Sequence, residues 1–430
     1  MEYIRGILGI TVLVAVAFLF SQNRKAINWR LVVTGLLLQF IAGFLILRVP
    51  FVAGIFESVS EAFVKFLSFS QDGAEFLFGG LVDESSFGFI FAFQVLPTII
   101  FFSTVSAGLY YLGILQKIVY GIAWIMARTM RLSGAESLSA AGNIFLGQTE
   151  APLLVRPYIP GMTYSELMCL MTGGMATIAG GVLAGYVAFL GGDDPVERTR
   201  FAAYLLSASI MNAPAAIVIS KLIIPESNKD HIGSDLKVSD ESLGVNLIDA
   251  LSRGAADGLK LAVNVGGMLL AFIAVIAALN FLLRDVIGDL TQLNSLVIAS
   301  TNGEFDGFSL EYILGQVFRI FAYIMGVDWS ETLEVGSLLG QKTVINEFVA
   351  YLSMSEMKAD DIISGKALVI ATYALCGFSN FSSIAIQIGG IGSIAPNQQG
   401  NLSRLGLWAL LAATIACMMT GTIAGMLVQQ

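Results

Sequence analysis

Charged residues are scarce in this chain, and their scarcity excludes most soluble folds. Only 13% of the 430 residues are charged, whereas 56% are hydrophobic, and the mean hydropathy is +0.78. A typical soluble domain carries about 25% charged residues. We therefore expect a protein whose main solvent is the lipid bilayer. The net charge of −9 comes mostly from acidic residues in the loops. We expect no nucleic-acid partner.

Cysteine and histidine are scarce as well. Cys169, Cys376 and Cys417 lie singly inside apolar runs without CxxC spacing, which favours buried structural thiols over disulfides or a zinc site. The single histidine, His231, lies in a charged loop. A histidine-ligated metal or a Ser/His/Asp triad inside the membrane is therefore hard to build. The sequence also contains no HExxH motif, so we predict that the protein is not an enzyme.

The apolar runs predict an all-α polytopic membrane protein with about eight transmembrane helices. The loop between the first two spans carries Arg24, Lys25 and Arg30 without an acidic residue, and the positive-inside rule places such a loop in the cytoplasm. Both termini then lie on the periplasmic or extracellular side of a multi-pass cell (inner) membrane protein. The predicted spans are residues 6–20, a second span from residue 31, 89–112, 166–190, 201–224, 259–283, 367–391 and 405–428.

Two further segments are predicted to lie along the membrane surface. In residues 51–69, charged side chains recur every four residues opposite an apolar face, which is typical of an interfacial helix, here on the outer side. Residues 116–131 carry three basic side chains and suit the inner interface. The polar stretch from 225 to about 245 has mixed charges and is interpreted as a cytoplasmic linker.

The chain contains an internal repeat. LYYLGILQKIVYGIAWIMARTM (109–130) resembles LEYILGQVFRIFAYIMGVD (310–328), and an interrupted apolar segment with Gly-Gln and a later glutamate follows each copy. Each copy continues into a glycine-rich span with a polar centre. Three predicted crossings separate the copies, so the second is inverted, a recurrent transporter design. The alternative is that glycine-rich membrane sequences look alike by chance.

Two glutamates follow the interruptions of these segments. Broken backbone at membrane depth is tolerated only where it is buried in protein or lines a wet cavity. An intramembrane carboxylate costs roughly 2.5 kcal/mol or more, so Glu150 and Glu347 are predicted to serve one polar substrate cavity. The alternative is that each glutamate only pairs with a cation of its own segment, Arg156 or Lys342.

Four ordered sequence blocks resemble the concentrative nucleoside transporter family in its compact bacterial, sodium-coupled form. The blocks are GNIFLGQTEAPLLVRPYI, GGMATIAG, TVINEFVAY and GFSNFSSIAIQIGGIG, and the resemblance covers essentially the whole chain. It implies a homotrimer whose scaffold holds a mobile transport domain with two re-entrant hairpins, at about 137–159 and 333–352. It also implies nucleoside import by sodium symport with elevator-type alternating access.

The resemblance divides the chain into scaffold and transport parts. Residues 1–115 form a scaffold part with the outer interfacial helix, and 116–224 form the first transport part. Residues 225–285 supply the linker and a scaffold span, and 286–430 form the second transport part.

The resemblance also assigns the site residues. The substrate contacts fall on Gln148, Thr149, Glu150, Glu347, Phe378, Asn380 and Ser383. Chemistry agrees with this set, because a carboxylate accepts hydrogen bonds from ribose hydroxyls and the Gln148 amide both donates to and accepts from a base edge.

The implied sodium ligands are the side chains of Asn143 and Thr177 and the carbonyls of Leu146 and Ile178. The family has serine where Thr177 stands, which keeps the hydroxyl but leaves the ion affinity open. A proton-coupled nucleoside carrier and an elevator-type carrier of another small polar solute, such as a nucleobase, remain alternatives.

Overall fold

The chain folds into helices joined by turns. No strand occurs among the residues that the computed structural model describes, which are 2–88, 90–192, 194–227 and 244–428. The prediction of an all-α protein is therefore confirmed. His231 and most of the predicted linker at 225–245 lie outside the described residues.

The helices before the first repeat begin at clear sequence signals. The Oδ1 atom of Asn28 accepts from the backbone N–H of Leu31 at 3.2 Å and caps α2, and Pro50 occupies the first position of α3, where its missing N–H costs nothing. The helices are α1 (Glu2–Leu19), α2 (Trp29–Arg48), α3 (Pro50–Phe78), α4 (Glu84–Phe87), α5 (Phe91–Gln94) and α6 (Leu96–Tyr111).

The first repeat is built from half-length helices between two longer ones. Ser133 with Glu136, and Thr163 with Glu166, form capping boxes that start two of them. The helices are α7 (Ile114–Met130), α8 (Gly134–Gly142), α9 (Ala151–Leu154), α10 (Tyr164–Ala176), α11 (Gly180–Gly191) and α12 (Pro195–Ile223). The predicted first hairpin thus has one regular helical arm, α8, and a largely irregular return.

The segment between the repeats contains the longest helix of the described chain. It starts at α13 (Leu247–Asn280), widens into π-type turns over Phe281–Gly288 and ends with α14 (Asp289–Thr291) and α15 (Leu293–Ser300). The span predicted at 259–283 lies within this helical stretch, and α13 begins twelve residues before it with partly exposed polar turns.

The second repeat has the same order of elements as the first. Side-chain caps from Asn346, Ser364 and Asn380 start three of its helices. The helices are α16 (Leu310–Met325), α17 (Thr332–Val344), α18 (Glu347–Ala359), α19 (Gly365–Leu375), α20 (Phe381–Ile394) and α21 (Gln399–Leu427). The predicted second hairpin corresponds to α17 and α18 and is longer than expected.

Six helical segments of the described chain are long and apolar enough to cross a membrane. They are Trp29–Arg48, Phe91–Tyr111, Tyr164–Gly191, Pro195–Ile223, Leu247–Thr291 and Pro396–Leu427. Shorter apolar helices occur at Tyr3–Leu19, Gly365–Leu375 and Phe381–Ile394. Seven of the eight predicted spans coincide with one of these segments each, and the span predicted at 367–391 corresponds to two of the short helices, Gly365–Leu375 and Phe381–Ile394. Helix α3 continues nine residues beyond the predicted 51–69.

The two repeats run in opposite directions. The side-chain amide of Gln398, between α20 and α21, donates to the carbonyls of Ile159 and Met162 at 3.3 and 3.1 Å, just before α10. At the other end of the molecule, Nζ of Lys358 at the end of α18 donates to the carbonyl of Leu190 at 2.7 Å. The start of α10 therefore lies beside the end of α20, as an inverted repeat requires.

Four helical segments of the described chain are interrupted, whereas the sequence predicts two interruptions. Besides the two predicted hairpins, the polar centres of the spans at 166–190 and 367–391 are real breaks, between α10 and α11 and between α19 and α20. The two breaks cross each other, because the backbone N–H of Phe378 donates to the carbonyl of Thr177 at 3.3 Å. A Cβ atom on Gly377 would lie 2.8 Å from the carbonyl oxygen of Ala176, so only glycine allows this approach.

Side chains of the long helices α12 and α21 form hydrogen bonds with backbone carbonyls that the breaks leave without a helical partner. The Nδ2 atom of Asn212 donates to the carbonyls of Ala176 and Cys376, at 2.7 Å each. The Sγ atom of Cys417 lies 3.5 and 3.4 Å from the same two carbonyl oxygens. One asparagine therefore joins the two broken helices at the centre of the fold.

Asn212→Ala should lower the thermal stability of the protein. The variant leaves two buried carbonyls without their strongest donor, and an unpaired buried group costs about 1–3 kcal/mol. Apparent melting temperatures of detergent-purified protein measure the effect. Asn401→Ala is the control, because that amide donates to Gln398 at the half-buried start of α21. Equal melting temperatures for the two variants would contradict the role assigned to Asn212.

Candidate functional site

A cavity of about 120 Å³ lies where the breaks converge. Its wall combines the turn after α8 with the N-terminal ends of α18 and α20, together with residues of α11 and α13. The structure therefore brings together side chains from both repeats, such as Gln148 and Ser383. All seven predicted substrate residues line the cavity: Gln148, Thr149, Glu150, Glu347, Phe378, Asn380 and Ser383.

Glu347 is held at the first position of α18. The helix begins there because Oδ1 of Asn346 accepts from the backbone N–H of Val349 at 3.0 Å. The carboxylate accepts from the hydroxyl of Tyr186 at 2.8 Å and from Nδ2 of Asn380 at 2.9 Å. The positive end of the helix dipole favours a carboxylate at this position. A carboxylate accepts about four hydrogen bonds, so Glu347 keeps capacity for ligand hydroxyls.

The amide of Gln148 is oriented by two neighbours. Its Nε2 atom donates to the hydroxyl of Ser383 at 3.0 Å, and its Oε1 atom accepts from Nε2 of Gln387 at 3.2 Å. Gln387 also donates to the carbonyl of Met171 at 3.1 Å. Gln387 was not predicted as a site residue, although its position one helical turn after Ser383 in an apolar stretch was a usable signal.

Glu150 closes the turn that carries Gln148 and Thr149. Its Oε2 atom accepts from the backbone N–H of Gly147 at 3.2 Å. This bond points the carboxylate back onto its own turn and leaves one oxygen for another donor. The turn therefore presents an amide, a hydroxyl and a carboxylate to the same cavity.

An apolar wall closes the other side of the cavity. Leu261, Val265 and Met268 come from one face of α13, and Phe378 and Ile386 come from the second repeat. The three α13 residues were missed at the sequence level, because spacing of four and three residues is common to every amphipathic helix face. They show that a helix of the predicted scaffold contributes to the site.

The predicted sodium ligands lie near the C-terminal ends of α8 and α10. Asn143 is 1% exposed, and neither Oδ1 nor Nδ2 of its side chain has a hydrogen-bond partner among the described residues. The hydroxyl of Thr177 donates to the carbonyl of Gly173 at 2.9 Å, and a Cβ atom on Gly173 would lie 3.0 Å from Nδ2 of Asn143. The two side chains therefore approach the same glycine.

The donor set at this break fits sodium. A buried amide without a partner is costly, and a hard cation that prefers oxygen ligands would satisfy Oδ1 of Asn143. The carbonyls of Leu146 and Ile178 belong to the irregular segments on either side. Backbone carbonyls at the ends of half-helices are the ligands that transporters commonly offer to sodium.

The alternative role for Glu347, an ion pair with Lys342 of its own segment, is wrong for the described structure. Nζ of Lys342 donates instead to the carbonyl of Ala374 at 2.8 Å, and the Glu347 carboxylate bonds Tyr186 and Asn380. The glutamate is therefore available to the cavity.

Broken apolar helices around a buried polar cavity define a membrane transporter of a small polar solute. Family models support this class along most of the chain. The model described as Na+ dependent nucleoside transporter C-terminus matches residues 204–425, the corresponding N-terminus model matches 8–81, and a nucleoside recognition model, Gate, matches 92–193. The chain belongs to the concentrative, Na+ dependent nucleoside transporter family, and it is a transporter and not an enzyme.

Full-length relatives agree with this assignment. An uncharacterized transporter of Haemophilus influenzae is 41% identical over 100% of this chain and 98% of its own length. The uncharacterized transporter YutK of Bacillus subtilis is 42% identical over 100% of both chains. Sodium/nucleoside cotransporter 1 of Rattus norvegicus is 40% identical over 99% of this chain, which spans 64% of the rat protein.

Solved structures of CNTnw share the fold. CNTnw in an inward-facing substrate-bound state is 39% identical, with a TM-score of 0.89 over 99% of this chain and 98% of that chain. A CNTnw variant in an outward-facing state is 38% identical, with a TM-score of 0.87 over 99% and 98% of the two chains. The fold of the protein is therefore that of a nucleoside transporter.

Gln387→Leu should change the choice between nucleobases. The variant removes the donor that fixes Oε1 of Gln148, so the amide, which we predict to contact the base, can rotate and offer the wrong hydrogen-bonding pattern. The ratio of uridine to adenosine uptake in cells or proteoliposomes measures the effect. Gln116→Leu is a suitable control, because that amide on α7 donates to the carbonyl of Tyr110 on α6, away from the cavity. An unchanged ratio in Gln387→Leu would show that Gln148 needs no such support.

Proposed function

We propose that the protein imports nucleosides across the cell (inner) membrane by sodium symport. The proposal rests mainly on the cavity, because the seven residues assigned from the sequence all line it. The buried and unpartnered amide of Asn143 beside the neighbouring break supports an ion site coupled to this cavity. Membership in the Na+ dependent family adds independent support.

Within the site, we assign the sugar and the base to different repeats. Glu347 accepts hydrogen bonds from the ribose hydroxyls, with Asn380 and Ser383 beside it. Gln148, Thr149 and Glu150 attend the base, whose edge needs both donors and acceptors. Phe378 and the α13 wall provide apolar contact for the flat faces of the nucleoside.

Sodium would be held by Asn143, Thr177 and the carbonyls of Leu146 and Ile178. The ion supplies the positive charge that couples uptake to the membrane potential. One charge moving inward through 100 mV gains about 2.3 kcal/mol, which is enough for somewhat under two decades of accumulation.

Alternating access would be of the elevator type. The two re-entrant hairpins and their partner helices (116–224 and 286–430) move as a transport domain against a scaffold of 1–115 and 225–285, within a homotrimer. The lining of the cavity supports this division, because α13 of the proposed scaffold supplies one wall and the two repeats supply the others. Solved structures of CNTnw carry the descriptions inward-facing, outward-facing and intermediate.

Uridine uptake should require a sodium gradient. In proteoliposomes, an inward sodium gradient should drive accumulation, and Asn143→Ala should abolish the sodium dependence because the ion loses its side-chain amide ligand. Asn401→Ala, which alters a turn outside the site, should keep it.

Two outcomes would count against sodium coupling. Full uptake driven by a proton gradient alone would favour the proton-coupled alternative, as would an Asn143→Ala variant with unchanged ion dependence. Uptake of free uracil but not of uridine would favour the nucleobase carrier instead.

Glu347→Ala should weaken ribonucleoside transport and reduce discrimination against deoxynucleosides. A charge-assisted hydrogen bond is worth roughly 1.5–3 kcal/mol, so the wild type should prefer uridine over a deoxyuridine by about tenfold or more. In the wild type, a deoxyuridine leaves the Glu347 carboxylate without a donor. The variant lacks this carboxylate, so its preference for uridine over deoxyuridine should approach unity. Competition of 2′- and 3′-deoxyuridine against labelled uridine measures the ratio. A retained ratio with an altered choice between uridine and adenosine would reverse our assignment of sugar and base.

A further inference from the structure

The broken helices of the two repeats begin at matching positions. The N-caps of α10 and α19, and those of α11 and α20, are 201 residues apart in both cases: Thr163 with Ser364, and Ala179 with Asn380. On the same spacing, Tyr186 of α11 is equivalent to Gln387 of α20. Both side chains are buried.

These two equivalent side chains reach across to the opposite repeat in the same way. Gln387 of the second repeat donates from Nε2 to Oε1 of Gln148, in the first hairpin, at 3.2 Å. Tyr186 of the first repeat donates from its hydroxyl to Oε1 of Glu347, in the second hairpin, at 2.8 Å. Each position therefore supplies a hydrogen-bond donor to a predicted substrate residue of the other repeat.

Tyr186 does not itself reach the substrate cavity. Its side chain is 0% exposed, and it is not among the described residues that line the cavity. Its ring packs against the rings of Phe348 and Tyr351 on α18, with centroids 4.8 and 4.5 Å apart. Any influence of the Tyr186 hydroxyl on a ligand must therefore act through Glu347.

The carboxylate of Glu347 is held by one protein donor on each oxygen. Tyr186 donates to Oε1, and Nδ2 of Asn380 donates to Oε2 at 2.9 Å. The last torsion of a glutamate side chain is broad, so a single donor would leave the carboxylate plane free to turn. Two donors fix the plane, and each oxygen keeps an acceptor position for a ligand hydroxyl.

We propose that Tyr186 is a positioning residue that sets the sugar selectivity of the site, as Gln387 supports recognition of the base. When a ligand lacks a ribose hydroxyl, a fixed carboxylate is left with an unpaired acceptor, which is costly. Without the Tyr186 hydroxyl, the carboxylate can turn toward its remaining donors, so the missing ribose hydroxyl matters less. This inference rests on the proposed role of Glu347 in binding ribose.

The test compares wild-type protein with Tyr186→Phe, which keeps the aromatic ring and removes only the hydroxyl. Equilibrium binding of labelled uridine to purified protein in sodium buffer, with 2′-deoxyuridine, 3′-deoxyuridine and adenosine as competitors, avoids any dependence on transport rate. The wild type should prefer uridine over a deoxyuridine by about tenfold or more. In Tyr186→Phe this preference should fall to within about threefold of unity, while the affinity ratio of uridine to adenosine stays unchanged.

Two further variants serve as comparisons. Gln387→Leu should show the opposite pattern, with a changed ratio of uridine to adenosine and an unchanged preference for uridine over the deoxyuridines. Tyr373→Phe is the matched control, because Tyr373 is also fully buried and its hydroxyl bonds the hydroxyl of Ser207 at 2.6 Å, away from the cavity. It should leave both ratios unchanged. Tyr186→Met, which also lacks the hydroxyl, is measured in the same way if Tyr186→Phe does not fold.

The outcomes separate this inference from the proposed function. A wild type that does not distinguish uridine from either deoxyuridine would overturn the role of Glu347, and this inference with it. A wild type that does distinguish them, together with a Tyr186→Phe variant that keeps the preference, would overturn the role of Tyr186 alone. Equal losses of sugar preference in Tyr186→Phe and Tyr373→Phe would identify a general loosening of the fold and would also overturn the inference.

Discussion

The structure depends on satisfying the backbone groups of four interrupted helices in apolar surroundings. Each interruption frees N–H and C=O groups that lipid cannot pair. Asn212 on α12 satisfies two of these carbonyls at once, and Asn346 and Asn380 cap the helices that restart. The polar side chains at the centre of the fold are therefore needed to make the breaks possible, before any question of ligand binding arises.

The ends of the half-helices then divide the centre into regions of opposite electrostatic character. N-terminal ends of α18 and α20 point toward the cavity, where Glu347 and Asn380 lie. The C-terminal ends of α8 and α10 approach each other at Asn143 and Gly173, and Lys342 of α17 donates to the carbonyl of Ala374 near the end of α19. Helix dipoles favour anions at the former and cations at the latter. The proposed ribose contact and the proposed sodium site both follow this rule.

Ion pairs away from the cavity join helices within the first repeat and across the two repeats. Within the first repeat, Lys221 joins α12 to Glu136 at the start of α8. Lys358 joins the end of α18 to Glu197 of α12 at 2.9 Å. The cavity wall from α13 is mainly apolar, so it presents no hydrogen bonds that would have to break if the repeats moved past it. This apolar wall is compatible with the elevator proposal at the cavity itself, although side-chain hydrogen bonds such as Asn280 with Glu311 and Gln39 with Thr420 join the two proposed parts elsewhere.

The sequence by itself determined the class of the protein, because hydropathy, paired interruptions and four family blocks are local features of the chain. It also identified seven of the residues that line the cavity, since the resemblance assigned them by position. Only the tertiary structure revealed the breaks after Ala176 and Cys376 as crossing points, and only it revealed Gln387 and the α13 wall as neighbours of the site. These features depend on contacts between segments more than 150 residues apart in several cases, such as Asn212 with Cys376. A periodic apolar pattern says which face of a helix is buried but not which helix will cover it.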